Sequence, residues 1–209
     1  MSPKSKTIDY FFTSPSPFAY LGHQTLGAIA QKHGLEIRFR PFDIMGVWAE
    51  SGAVPPGQRP PVRQRYRSIE IQRVGLFRNV CVNAAPKFFP TDPTLADHAI
   101  CAVVIMGGDA AGFAQAVGRA VWEQEKQIAD AQVLVSLLEE TGHDAARIME
   151  IAQSFSAKEA RQENTRMAVA MDAVGAPAYV YEGEVFWGQD RLEYLDQMIV
   201  SGRRAFKPL

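Results

Sequence analysis

β-Forming patterns stand near the two ends of this 209-residue chain, and the long interior between them is patterned for helix. Read together, the two ends contribute to one sheet that a helical lobe splits in sequence. Near the start, Ile8-Asp9-Tyr10-Phe11-Phe12 sets aromatic and β-branched side chains between polar positions and predicts a strand. Leu21, Leu26, Ile29 and Ala30 keep roughly helical spacing from Phe18 to His33, and Gly34 supplies a stop. Leu35-Glu36-Ile37-Arg38-Phe39-Arg40 then alternates as a half-buried strand does. Strand, helix and strand in that order form a right-handed crossover with parallel strands.

The interior reads differently. Residues 45–61 hold Gly46, Gly52, Pro55, Pro56, Gly57, Pro60 and Pro61, which predicts a loop. Pro61 suits the first turn of a helix running to about Asn79. Asp109, Asp130 and Asp144 each precede a periodic apolar run, Gly142 closes the helix begun near Asp130, and Ser156-Ala157-Lys158-Glu159 has the form of a capping box. Residues 62–174 therefore read as helical throughout. After Gly175-Ala176-Pro177, Ala178–Tyr181 predicts a strand, Glu182-Gly183 a tight turn, and Glu184–Trp187 its antiparallel partner. Gly188-Gln189-Asp190 opens a last helix carrying Leu192, Leu195, Met198 and Ile199, and the tail Ser201–Leu209 reads as loosely held. The expected fold is α/β, a βαβ…ββα sheet with a large all-helical insertion. Its domains are residues 1–44 plus 175–209 for the sheet, and 45–174 for the helical insertion with a substrate loop.

Composition narrows the function. Lys and Arg total 22 against 23 Asp and Glu, a net charge of −1, with no basic run of the kind nucleic acid selects. No stretch approaches the ~20 apolar residues of a membrane span. Met1–Lys6 lacks the apolar core of a signal peptide, so a cytoplasmic protein is expected. Cys81 and Cys101 lack metal-ligand spacing and read as buried free thiols, so no metal is expected. His23, His33, His98 and His143 have no nucleophile motif nearby, which argues against a histidine-based hydrolase.

Three places can carry chemistry. Ser16 precedes the first helix, where unpaired N–H groups and the helix dipole favour an anion. Its hydroxyl can donate to a thiolate, or Ser16 can serve as an N-cap and nothing more. Ala176-Pro177 can be a cis-proline turn that presents the backbone of Ala176 to a peptide, or an ordinary trans turn. Gln189 and Asp190 open the last helix, where backbone N–H groups suit a carboxylate and Asp190 an ammonium, as on a γ-glutamyl group; capping explains them equally.

In combination and order these residues resemble one family. Ser16-Pro17-Phe18-Ala19-Tyr20-Leu21, Arg59 to Arg67, Ala120-Val121-Trp122, Ile128-Ala129-Asp130, Gly175-Ala176-Pro177 and Phe186-Trp187-Gly188-Gln189-Asp190-Arg191-Leu192 resemble the 2-hydroxychromene-2-carboxylate isomerases. Those are relatives of kappa-class glutathione transferases in the DsbA-like branch of the thioredoxin superfamily. The resemblance spans most of the chain and implies a thioredoxin-like sheet, with Ser16 and Ala19 where redox-active members carry Cys-x-x-Cys. Such a site holds a thiol without supplying one.

The resemblance implies glutathione as cofactor, Ser16 as the catalytic residue at its sulfur, and a cradle of Phe18, Ala176, Pro177, Trp187, Gly188, Gln189 and Asp190. It implies substrate contacts from Trp48, Gln58, Arg59, Arg63 and Phe89, although Trp48 and Phe89 read first as buried core and only second as pocket walls. Arg63 stands where many members carry lysine, and its fork can clamp a carboxylate bidentately. Gly57 or Gln58 falls where better-known members place asparagine, a departure on the substrate side. The implied activity is glutathione-dependent cis–trans isomerisation of 2-hydroxychromene-2-carboxylate, or a related aromatic carboxylate, by a homodimer. Kappa-type conjugation and a non-catalytic binding protein are the competing readings.

Overall fold

Four strands and nine helices are present among the described residues, 6–208, of the computed structural model. Met1–Ser5 and Leu209, which the leader, domain and tail expectations include, lie outside that range. β1 (Thr7–Phe12) lies parallel to β2 (Glu36–Pro41) and antiparallel to β3 (Ala178–Tyr181), which pairs with β4 (Glu184–Trp187) in a hairpin. The sheet order is therefore β2-β1-β3-β4. Tyr10 of β1 faces Phe39 of β2 and Tyr179 of β3, and its ring stacks on Phe12 at 4.4 Å and on Tyr179 at 5.3 Å. This aromatic layer is what the alternating strand pattern buries.

α1 (Pro17–His33) joins β1 to β2 and ends on Gly34 in the left-handed conformation. The interior contributes α2 (Ile44–Ser51), α3 (Pro61–Arg78), α4 (Thr94–Ile105), α5 (Ala110–Trp122), α6 (Ala131–Glu140), α7 (Ala145–Ala152) and α8 (Phe155–Ala170); α9 (Leu192–Ser201) follows the hairpin. Asp109, Asp130 and Asp144 cap α5, α6 and α7 through their carboxylates. One apolar cluster joins Ile8, Tyr10 and Tyr179 of the sheet to Ile100, Phe113 and Trp122 of the helices, so sheet and helical lobe share a core.

The structure corrects the sequence reading at five points. Residues 45–61 are not all loop: α2 is capped by Asp43 and stopped by Gly52, and the prolines lie beyond its end, so the breakers bound a helix. Residues 79–93 interrupt the helical interior and contain the cis Phe89-Pro90 bond. α8 starts after Ser154, whose hydroxyl turns back to the Ile151 carbonyl at 2.6 Å, so Ser156 lies inside the helix and caps nothing. Arg203 donates twice to Glu184, at 2.7 and 2.8 Å, and the Phe206 N–H donates to the same carboxylate, so the tail is anchored to β4. Cys101 is buried, with its thiol pushed up to about 12 by burial, whereas Cys81 is exposed.

Candidate active site

Ser16 joins β1 to α1 at a tight turn. Its N–H donates to the Thr13 carbonyl at 3.0 Å and its Oγ accepts the Ala19 N–H at 3.3 Å, so it caps α1 as a serine should. That bond uses the oxygen as acceptor. The hydroxyl proton has no acceptor among the described residues. Capping and donation to an anion are therefore compatible in one side chain.

The turn is braced from beneath by Asp97 of α4. Its carboxylate accepts the Ser14 N–H at 2.8 Å, the Thr13 hydroxyl at 3.1 Å and Arg161 Nε of α8 at 3.2 Å. Asp97 is wholly buried, and burial raises its pKa to about 6 against the pull of Arg161 and of its hydrogen-bond donors.

Ala176-Pro177 is cis, which answers the choice the sequence left open. The Pro177 carbonyl accepts the Gly188 N–H at 2.8 Å, while the N–H and C=O of Ala176 have no partner among the described residues. Gly175 lies between two indoles: a Cβ there would stand 3.1 Å from Trp187 Nε1 and 3.4 Å from Trp48 Nε1. Trp48 and Trp187, 139 positions apart in sequence, thus flank the loop together.

Gln189 is buried and Asp190 exposed at the turn ahead of α9. Arg78, at the end of α3, donates to Gln189 Oε1 and to the Gln189 carbonyl, both at 2.9 Å, and to Glu193 Oε1 at 2.5 Å. A Cβ on Gly22 of α1 would lie 2.7 Å from Gln189 Cβ, so glycine lets α1 close onto this turn. Asp190 pairs with Arg191 at 2.6 Å and opens onto a groove of about 350 Å³ between α3 and α9. A larger cavity of about 520 Å³, lined by Phe186, Tyr194, Arg203 and Phe206, contains none of the expected site residues.

On the substrate side, Arg59 reaches over the Trp48 ring at 6.0 Å and donates to the Val54 carbonyl at 2.7 Å. Arg63 and Gln58 are exposed, and the Gln58 side chain makes no hydrogen bond among the described residues. Trp48 and Phe89 are half-buried, each with a face left for contact, and Phe89 rests 4.8 Å from the Trp122 ring. Sequence reasoning passed over Arg67, whose guanidinium lies 6.0 Å from the Phe18 ring and 5.5 Å from the Phe89 ring. The recurrence of Arg59, Arg63 and Arg67 every fourth residue was its available signal. Arg78 was missed too, and had no local signal, since Gln189 is 111 positions away.

Comparison with known proteins gives the family. The DSBA-like thioredoxin domain matches residues 7–200. A 2-hydroxychromene-2-carboxylate isomerase of Pseudomonas putida is 30% identical over 193 residues, covering 90% of this chain and 92% of the relative. Glutathione S-transferase kappa 1 of Rattus norvegicus is 23% identical over 211 residues, covering 95% and 93%. A solved 2-hydroxychromene-2-carboxylate isomerase superposes with a TM-score of 0.80 at 25% identity, over 93% of this chain and 95% of that one. The chain belongs to the DSBA-like thioredoxin family and, within it, to the 2-hydroxychromene-2-carboxylate isomerases.

Proposed function

We propose that this isomerase works with glutathione and interconverts cis and trans forms of an aromatic 2-oxo acid. The pattern is that of 2-hydroxychromene-2-carboxylate and trans-o-hydroxybenzylidenepyruvate, or of a related intermediate in aromatic breakdown. The observation that carries the reading is the uncommitted hydroxyl proton of Ser16 at the head of α1, in a chain with no thiol at Ser16 or Ala19. The free backbone of Ala176 fits a peptide laid beside it as a short strand, with Phe18, Pro177 and Trp187 around it. Gly188, Gln189 and Asp190 suit a γ-glutamyl head group.

Glutathione, when bound, supplies a sulfur that adds reversibly to the double bond conjugated with the carbonyl, letting that bond turn as a single bond. Ser16 donates to the sulfur anion, and the positive end of α1 favours the same charge, so the thiol ionises below its ordinary pKa of about 8.5. Arg63 and Arg59 hold the substrate carboxylate and offset charge developing at the neighbouring carbonyl oxygen. Trp48, Gln58 and Phe89 flank the ring. A homodimer in the cytoplasm completes the reading, and the exposed free thiol of Cys81 fits a reducing compartment.

The test is to mix purified protein with the trans acid, with and without glutathione, and follow absorbance. Glutathione-dependent equilibration without glutathione consumption supports the isomerase. A stable thioether, formed here or with a chloro-aromatic electrophile, makes the protein a kappa-like transferase. The absence of any thermal shift at millimolar glutathione overturns the reading in favour of a non-catalytic binding protein.

A further inference from the structure

The less exposed arginines of this chain have carboxylate partners: Arg40 pairs with Asp9, Arg78 with Glu193 and Arg161 with Asp97. Arg59 and Arg67, both partly buried, break that pattern, and the exposed Arg63 stands between them in sequence. None of the three has a carboxylate within ion-pair distance among the described residues. Arg63 and Arg67 lie four residues apart on α3, ~6 Å along the axis, and Arg59 stands immediately ahead of the helix. Arg67 is the least exposed of them, and the contacts of its guanidinium are two ring faces, Phe18 in the first turn of α1 and Phe89.

The three cations also feel one another. Burial and the charge of Arg63 lower the pKa of Arg59, and burial and the charge of Arg59 lower that of Arg67. Gathering like charges, one of them half-buried, is unfavourable unless something outside the chain neutralises them. A single substrate carboxylate engages one fork, at Arg63 or Arg59. It leaves Arg67 uncompensated between two aromatic walls, next to the head of the helix that carries Ser16.

We propose that the substrate of this protein is an aromatic acid with a second anionic group, a carboxylate on the ring, and that Arg67 holds it. The inference deepens the glutathione-dependent reading and rests on it, since that reading puts the substrate ring beside Phe89, whose face Arg67 covers.

The test is calorimetric titration of the full chain, saturated with glutathione, with isophthalate and with benzoate. We expect isophthalate to bind at least tenfold more tightly, with an advantage that shrinks as salt is raised. Arg67→Gln should bring the two within twofold while leaving benzoate affinity nearly unchanged, and Arg67→Lys should keep part of the preference. Equal affinities in the wild type overturn the proposal, as does a preference that survives Arg67→Gln. Should Arg67→Gln fail to fold by circular dichroism, the wild-type ratio and the Arg67→Lys ratio decide. If glutathione itself gives no binding heat, the glutathione-dependent reading falls. The same two acids titrated without glutathione then still decide this inference.

Discussion

Asp97 and Arg67 both stand close to the head of α1, one bracing the turn before Ser16 and the other lying over Phe18 just after it. Asp97 is wholly buried, yet its carboxylate accepts from a backbone N–H, a hydroxyl and a guanidinium, all supplied by the chain. Arg67 is half-buried, and the chain gives it ring faces and a neighbouring cation. The same fold thus gives one charged group an ion-pair and hydrogen-bond partners and leaves the other without a counterion. The difference separates architecture from chemistry: a buried group paired within the chain fixes the turn, whereas one left without a counterion is open to an anion from outside, the role proposed for Arg67.

Breaking the paired side should have the largest effect. Asp97→Ala strands Arg161, which keeps only Asp43 at 3.8 Å, and should cost about 3–5 kcal/mol in urea unfolding. A loss below ~1 kcal/mol would place Asp97 outside the structural half of the comparison. Ser16→Ala removes the hydroxyl proposed to donate to the sulfur anion and should lower kcat at saturating glutathione by roughly 10²–10³-fold, with unchanged circular dichroism. An unaltered kcat would end the role given to Ser16. Arg78→Lys loses the fork on Gln189 but keeps the charge near Glu193. It should raise the KM for glutathione about tenfold with little change in kcat, whereas a change confined to kcat would detach Gln189 from the cofactor.

The finest test is pH. Burial raises the folded-state pKa of Asp97 to about 6, so its contribution to stability is full below the unfolded value of about 4 and is lost as pH rises through 6. Asparagine does not titrate. The wild type should therefore lose stability relative to Asp97→Asn across that interval, and the gap should be level at higher pH. A wild type that gained on the variant would mean that Arg161, not burial, governs this carboxyl.

Legibility in the sequence followed the range of the forces involved. The strands, the turn at Glu182-Gly183 and the caps Asp109, Asp130 and Asp144 rest on neighbours within a few positions, and all were readable. α2 is illegible in the sequence because Gly52 and the following prolines read as a loop, whereas Gly52 stops a helix and the prolines lie beyond it. Arg203 was missed as an anchor because its partner Glu184 lies on a strand, 19 positions back. Ser16, Ala176, Gln189 and Asp190 were visible as candidates through local turn and cap chemistry. Whether each was more than a cap depended on what else came near.

The chain alone therefore determined its strands, the helix between the first two and the absence of a thiol at Ser16 and Ala19, because periodicity, capping and residue identity are local properties. Tertiary structure alone decided that Ala176-Pro177 is cis, that Arg78 grips Gln189, and that Asp97 is compensated while Arg67 is not. Those outcomes depend on desolvation and on partners brought together across tens to more than a hundred residues, and no local pattern encodes either.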